Sequence, residues 1–390
     1  MDMSGKIDPA ILPVGCFDGD LDLFESQYAV PDGVTYNSHV VLDEKTVVLD
    51  TVDVRKVGEW LDNVERALGG RTPDYLVVHH MEPDHASGVS ALADKYPEMA
   101  VVGNAKTFPM LAAFTGRDFS SRALVVKEGD TLELGAHALT FYMAPMVHWP
   151  EVMVSYERAS KTLFSADAFG RFGPVDPELP WADEARRYYL NIVGKYGVQV
   201  QALLKKAAGL EIQTVCPLHG PDLSGAALEL ALEKYGLWSS YAPEERGVLV
   251  AYASIHGNTA RAALELAEML KGEGLAAEAF DLARRDWAQA VAGAFRYGGL
   301  VLAASSYDAG VFPPMAQFLA RLKHKGFRDR VVGMVENGSW GPTAMKTMLT
   351  ELESMKGLTI LEPKITIRSA ATDENRAQMR ELARAMAGAI

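Results

Sequence analysis

Up to about residue 243 the chain is dominated by short runs in which apolar and polar side chains alternate. A period of two is that of a strand with one face on a core. Residues 38–42 and 46–50 predict two paired strands across the polar turn Asp43-Glu44-Lys45. Residues 75–79, 99–102, 138–143, 153–156 and 161–165 predict further strands. Amphipathic helices fall between them, over residues 54–68, where Gly69-Gly70 marks the stop, and over the long stretch 183–208. Many strands with helices outside predict sheets sandwiched between helices.

The pattern changes after the polar, Pro- and Gly-punctuated run Tyr241-Ala242-Pro243-Glu244-Glu245-Arg246-Gly247, which reads as a linker. Beyond it, predicted strands at 248–253, 276–280, 299–303, 330–335 and 364–367 alternate with helices. The helices fall at 258–271, through the Ala-rich 280s, and at 314–324, 343–356 and 373–387. Such alternation predicts a parallel, doubly wound sheet. Two domains follow as an expectation, 1–243 and 247–390.

Composition narrows the functions. The chain has 390 residues, 48% hydrophobic and 23% charged, enough for more than one sizeable core. A formal net charge of −13 opposes phosphate backbones, so no nucleic-acid partner is expected. The two cysteines, Cys16 and Cys216, are too few for a disulfide scaffold or a four-thiolate iron–sulfur cluster. Any metal must therefore be held by His, Asp and Glu. The N-terminal stretch lacks a basic segment followed by an apolar one, and no apolar run approaches the length of a membrane span. The expectation is a cytoplasmic protein without signal peptide or membrane anchor.

The first half carries a metal-ligating pattern. His80, Glu82, Asp84 and His85 follow an apolar strand. In an extended stretch the side chains of His80, Glu82 and Asp84 share one side, and His85 can turn to the same site from a loop. His148, Asp167 and His219 each follow a strand-like segment as well. These seven ligands suffice for two metals with one carboxylate bridging. Carboxylates beside imidazoles suit iron or manganese. His39, His79 and His256 read as hydrogen-bonded loop residues, and Cys216 as a buried free thiol.

The second half carries three loops after predicted strands. Ser254-Ile255-His256-Gly257-Asn258-Thr259 leads into a helix, whose N-terminal N–H groups and neighbouring hydroxyls suit a phosphate. Ser305-Ser306-Tyr307-Asp308-Ala309-Gly310 and Asn337-Gly338-Ser339-Trp340 follow the third and fourth strands. In a doubly wound sheet, ligands bind outside the carboxyl ends of the strands. Tyr307 and Trp340 offer aromatic faces to a flat ring.

His80-x-Glu82-x-Asp84-His85 resembles the diiron motif of the flavodiiron proteins, in which Glu replaces the second His of the zinc hydrolases of the metallo-β-lactamase fold. His148-Trp149-Pro150, the run from Ser165 to Gly170, and His219-Gly220-Pro221 resemble that family too. The loop from Ser254 to Thr259 is similar to the FMN phosphate loop of flavodoxins. The resemblance covers essentially the whole chain. It implies a metallo-β-lactamase-like αββα sandwich followed by a flavodoxin-like doubly wound parallel sheet. It implies one iron on His80, Glu82 and His148, a second on Asp84, His85 and His219, and Asp167 bridging them. One of Tyr188 and Tyr189 would approach the iron pocket, and Phe24-Glu25-Ser26 stands where many relatives carry a His. The implied activity is reduction of O2 to water, of NO to N2O, or both. FMN would deliver the electrons from an external donor, a rubredoxin or a reduced flavin-type cofactor. The implied assembly is a head-to-tail homodimer or a homotetramer.

Overall fold

The structure, a computed structural model, describes residues 8–176 and 178–390. Residues 1–7, on which the reading of the N-terminus partly rests, lie outside them. Two compact units are present, Met1–Gly236 and Leu237–Ile390.

The first unit holds two six-stranded sheets, and within each the strands lie side by side in chain order. The first sheet is built from β1 (Ile11–Pro13), β2 (His39–Val41), β3 (Val47–Leu49), β4 (Tyr75–Val77), β5 (Ala100–Gly103) and β6 (Ala123–Val125). β1, β2 and β3 pair antiparallel, with His39 opposite Leu49, and β3 to β6 run parallel. The second sheet is built from β7 (Thr131–Glu133), β8 (Ala138–Met143), β9 (Met153–Glu157), β10 (Thr162–Phe164), β11 (Thr214–Cys216) and β12 (Leu223–Ser224). All its pairings are antiparallel except β10 with β11.

The sheets meet through Val41, Leu49, Val77 and Val102 on one side and Leu139, Phe141, Met153 and Phe164 on the other, all buried. Each such side chain contributes about 1.5–3 kcal/mol on leaving water, an upper bound for a compact unfolded chain. Helices cover the outer faces. Helix Val57–Leu68 buries Trp60, Val64 and Leu68 at helical spacing and stops where Gly69 turns left-handed, its N–H bonding Glu65 O. This is an αββα sandwich of the metallo-β-lactamase-like kind.

The expected long helix over 183–208 is instead two, Trp181–Ile192 and Gly197–Ala207, separated by a tight turn at Gly194–Tyr196. Gly194 and Gly197 weaken the helix there, and the amphipathic pattern across them hides the break. Among the described residues, no helix is long and apolar enough to cross a membrane.

The second unit has β13 (Glu245–Ala253), β14 (Ala276–Asp281), β15 (Tyr297–Tyr307), β16 (Val331–Asn337), β17 (Thr359–Ile360) and β18 (Ile365–Ile367). The order is β14-β13-β15-β16, and both β17 and β18 pair with β16; these pairings are parallel. This is the flavodoxin-like doubly wound order. The fifth strand, expected over 364–367, is β18, and the short β17 before Glu362-Pro363 adds a further parallel pairing to β16. The run expected as a linker is shorter than 241–247, since β13 already begins at Glu245.

Candidate metal centre and flavin pocket

The first unit gathers its ligands at strand ends. β4 stops at Val77, and the chain bends at His79 and again at Glu82. Pro83 then opens a helical turn, Pro83–Ala86, which carries Asp84 and His85. The expected extended reading of this segment is therefore replaced by two bends and a helical turn, which still bring His80, Glu82, Asp84 and His85 to one centre. His148 follows β8, Asp167 follows β10 and His219 follows β11. Met146, Ala166 and Phe169, close to two of these ligands, hold positive φ, strained for side chains that are not glycine.

The seven side chains form two groups. His80 Nε2 lies 3.3 Å from Glu82 Oε2 and 3.3 Å from Asp167 Oδ2. His148 Nε2 lies 3.0 Å from each of the same two oxygens. In the second group, His85 Nε2 lies 3.3 Å from Asp84 Oδ2 and 3.2 Å from Asp167 Oδ1. His219 Nε2 lies 3.3 Å from Asp84 Oδ2 and 3.8 Å from Asp167 Oδ1. Asp167 thus turns one oxygen to each group.

The donor set fits cations. His85 Nε2 and His219 Nε2 stand 3.1 Å apart, two imidazole nitrogens aimed at one place. Both oxygens of Asp84, both of Asp167 and Nε2 of His148 are buried without a hydrogen-bond partner. Buried polar atoms left so cost about 1–3 kcal/mol each, and more when charged. Bonds of about 2.0–2.2 Å from such ligands to a common ion set donor atoms roughly 3 Å apart, the spacing seen here. Burial opposes a charged ring at His148, yet the carboxylates of Asp167 and Glu82 outweigh it and lift its pKa to about 9. Burial likewise pushes Asp167 up, but His80 and His85 hold it well below the carboxylate range.

The other ring nitrogens are held from behind. His80 Nδ1 lies 2.8 Å from Glu151 Oε1, which also accepts from Met81 N at 2.9 Å. His219 Nδ1 donates to Thr35 O at 2.6 Å. Such contacts fix the tautomer and aim Nε2 at the metal. His79 faces away from the centre, bonded to Asp50 Oδ2 at 2.6 Å and Ser155 Oγ at 2.7 Å.

Aromatic rings close round the second group. Phe24 and Tyr36 meet the His219 ring edge-on at 5.3 Å and 6.0 Å, and Tyr188 lies tilted to it at 5.4 Å. Of the two neighbouring tyrosines, Tyr188 therefore approaches the centre, while Tyr189 packs on Tyr235. The Tyr188 hydroxyl is buried without a hydrogen-bond partner, and burial together with the Asp167 charge pushes its pKa well up. A cavity of about 250 Å³ lined by Phe24, Glu25, Tyr36, Glu82 and Asp84 leads in. Burial and the charge of Glu82 push the Glu25 carboxyl up to about 7. Glu151 and Thr35 O escape sequence reasoning, because each acts on a ligand far along the chain.

In the second unit a cavity of about 270 Å³ lies at the carboxyl ends of the strands. Ser254, Ile255, His256, Asn258, Thr259, Ser305, Ser306, Tyr307, Asp308, Ala309, Asn337, Gly338, Ser339 and Trp340 all line it. Gly257 and Gly310 do not line it, and Gly341, Thr343 and Ser369 do. Ser369 follows the fifth strand, where the carboxyl-end rule points. Gly257 acts through the backbone: at φ 90° it caps helix Asn258–Gly272 with no side-chain hydrogen bond, leaving the first N–H groups for an anion. Ser306 serves the fold as well, its hydroxyl accepting from Thr343 N and Ala344 N. Trp340 is 94% exposed, a face with no protein cover.

Residues 34–220 match a family model described as the ODP family β-lactamase. The chain is 29% identical over 388 residues to a rubredoxin-oxygen oxidoreductase of Megalodesulfovibrio gigas, covering 97% of this chain and 96% of that one. It is 26% identical over 344 residues to an anaerobic nitric oxide reductase flavorubredoxin of Aliivibrio salmonicida, covering 85% of this chain and 68% of the relative. Among solved structures, the rubredoxin oxygen:oxidoreductase from Desulfovibrio gigas superposes with a TM-score of 0.91 at 27% identity, over 99% of this chain and 98% of that one. A flavodiiron protein from Giardia intestinalis shares the fold, with a TM-score of 0.91 at 23% identity, over 98% and 95% of the two chains.

Proposed function

We propose, taking this chain as a member of the flavodiiron protein family, that it is an oxidoreductase reducing O2 to water, NO to N2O, or both, at two non-haem irons. The observation that carries the reading is the division of seven ligands into two groups that share Asp167. His80, Glu82 and His148 would hold one iron, Asp84, His85 and His219 the other, with Asp167 bridging. FMN would sit in the pocket formed by residues 254–259, 305–310 and 337–340. When bound, the irons and FMN supply the redox chemistry. An external donor, a rubredoxin or a reduced flavin-type cofactor, would feed electrons to FMN. The assembly would be a head-to-tail homodimer or homotetramer, working in the cytoplasm.

The protein's own residues bind, orient and protonate. Glu151 and Thr35 O fix the rings of His80 and His219. Phe24, Tyr36 and Tyr188 wall the second group and limit water. Tyr188 keeps its proton on Oη at neutral pH, where it is available to a developing negative charge.

The test is gas uptake at an electrode by protein loaded with iron and FMN, supplied by a reductase–rubredoxin donor, with O2 and NO in separate runs. Fast uptake of either gas supports the reading and names the substrate. Uptake of neither, with iron and flavin verified in place, overturns it and brings forward a hydrolase fused to a flavodoxin-like unit or a flavin electron carrier without catalytic chemistry.

A further inference from the structure

A second cluster of metal-ligating side chains lies outside the seven-residue centre. His39 opens β2, Cys216 closes β11, and Asp222 stands immediately before β12. One imidazole nitrogen, the Cys216 Sγ and one carboxylate oxygen all lie within 4.8 Å of one another. His39 and Cys216 are buried and Asp222 is half-buried. His39 Nε2 is 3.9 Å from Asp222 Oδ1, too far for a hydrogen bond.

Around a tetrahedral ion, bonds of about 2.0–2.1 Å to N and O and about 2.3 Å to S place the ligand atoms roughly 3.3–3.6 Å apart. From separations of at most 4.8 Å, a contraction of up to about an ångström would close the three onto one ion. His39 and Asp222 also line a cavity of about 520 Å³ together with Cys16, Asn37 and Gly220. Three protein ligands with a fourth position facing a cavity is a recurrent arrangement for zinc. The thiolate makes this set softer than the oxygen- and nitrogen-only centre, and so favours zinc over iron.

We propose that His39, Cys216 and Asp222 form a further cation site that takes one thiophilic divalent cation, zinc above all. Cys216 gives up its thiol proton to solvent on binding, while His39 binds as the neutral ring and Asp222 as the carboxylate. The ion joins β2 of the first sheet to β11 and the approach to β12 of the second. It also grips both ends of the loop that carries His219, three residues from Cys216 on one side and three from Asp222 on the other.

The test uses the iron- and FMN-loaded protein, reduced at its thiols, given one equivalent of zinc and read by zinc X-ray absorption with iron counted in the same sample. One zinc per chain is expected, with one sulfur neighbour at about 2.3 Å. That sulfur should persist in C16S and vanish in C216S. D222N and H39Q should each weaken zinc retention against a chelator by more than the about 10–100-fold that loss of a supporting contact costs. The seven-residue centre has no sulfur ligand, so zinc entering it cannot mimic the signal. Zinc bound only by nitrogen and oxygen overturns the proposal, as does sulfur that survives C216S. Should C216S fail to retain iron and flavin, wild-type zinc retention in both D222N and H39Q overturns it instead.

Discussion

The carboxylate of Glu151 accepts from the ring of His80: Oε1 lies 2.8 Å from Nδ1, and both side chains are fully buried. The same oxygen accepts from Met81 N, so one carboxylate fixes both the ring and the backbone beside it. Glu151 Oε2 has no partner of its own, which leaves the charge committed to His80.

Replacing Glu151 by Ala should therefore lower iron affinity at the centre by about 10–100-fold. Iron per chain after challenge with a graded chelator reads the loss. FMN content should not change. Glu151→Gln, which can still accept through its carbonyl, should fall between. Equal iron retention in all three proteins would remove Glu151 from this role.

Tyr188→Phe separates chemistry from packing. The hydroxyl is buried without a partner, so its removal should leave the free energy of unfolding unchanged or raise it, by up to about 1–3 kcal/mol. Gas uptake should drop several-fold if Oη supplies a proton. A destabilised variant with full turnover would reverse both assignments.

The pH dependence of stability has a local source at His137. Burial works against the charged ring, but Asp43, at 2.8 Å from Nδ1, outweighs it and raises the pKa above the ordinary value. A raised imidazole contributes stability in full below its unfolded pKa of about 6.5, and loses it as pH rises through the folded value. The deficit of His137→Gln in thermal unfolding should thus be largest near pH 5.5 and fade toward pH 9. A deficit that grows with pH would contradict the assignment.

Gly257 holds φ 90°, and a Cβ there would meet no atom within 4 Å. Gly257→Ala should therefore incur only the backbone cost of a left-handed residue, about 1–2 kcal/mol, and weaken flavin binding by roughly tenfold. Gly257→Asn, which tolerates that conformation, should bind better than the alanine variant. Flavin fluorescence on dilution reads both, with circular dichroism confirming the fold.

The parts of the molecule legible in the sequence are those set by local pattern. Short apolar runs mark β2, β3, β8 and β9 closely, because β2, β3 and β9 are buried at every position and β8 over its centre. Motif chemistry at His80, Glu82, Asp84, His85, His148, Asp167 and His219 is legible because each follows an apolar strand. The turn at Pro83 is a signal overrun: proline at the first helical position marks a helix start, yet the preceding strand pattern extends the strand reading through it. Glu151 is 71 positions from His80 and Thr35 is 184 from His219, so neither pair has a local trace. Thr343 and Ser369 join the cavity of the second unit through loop geometry that residue type does not encode.

The strands of both sheets in the first unit follow the order of the chain, each new one laid beside the last. Such a sheet can grow in step with synthesis, since no strand must wait for a partner not yet made. The metal ligands obey a different clock. They run from His80 to His219, and the rear support of His219 is the backbone of Thr35, near the opposite end of the unit. A ribosome can thus release most of this sandwich before its reactive centre exists. On the proposed reading, iron would meet a sandwich already laid down, and loading would follow synthesis of the unit.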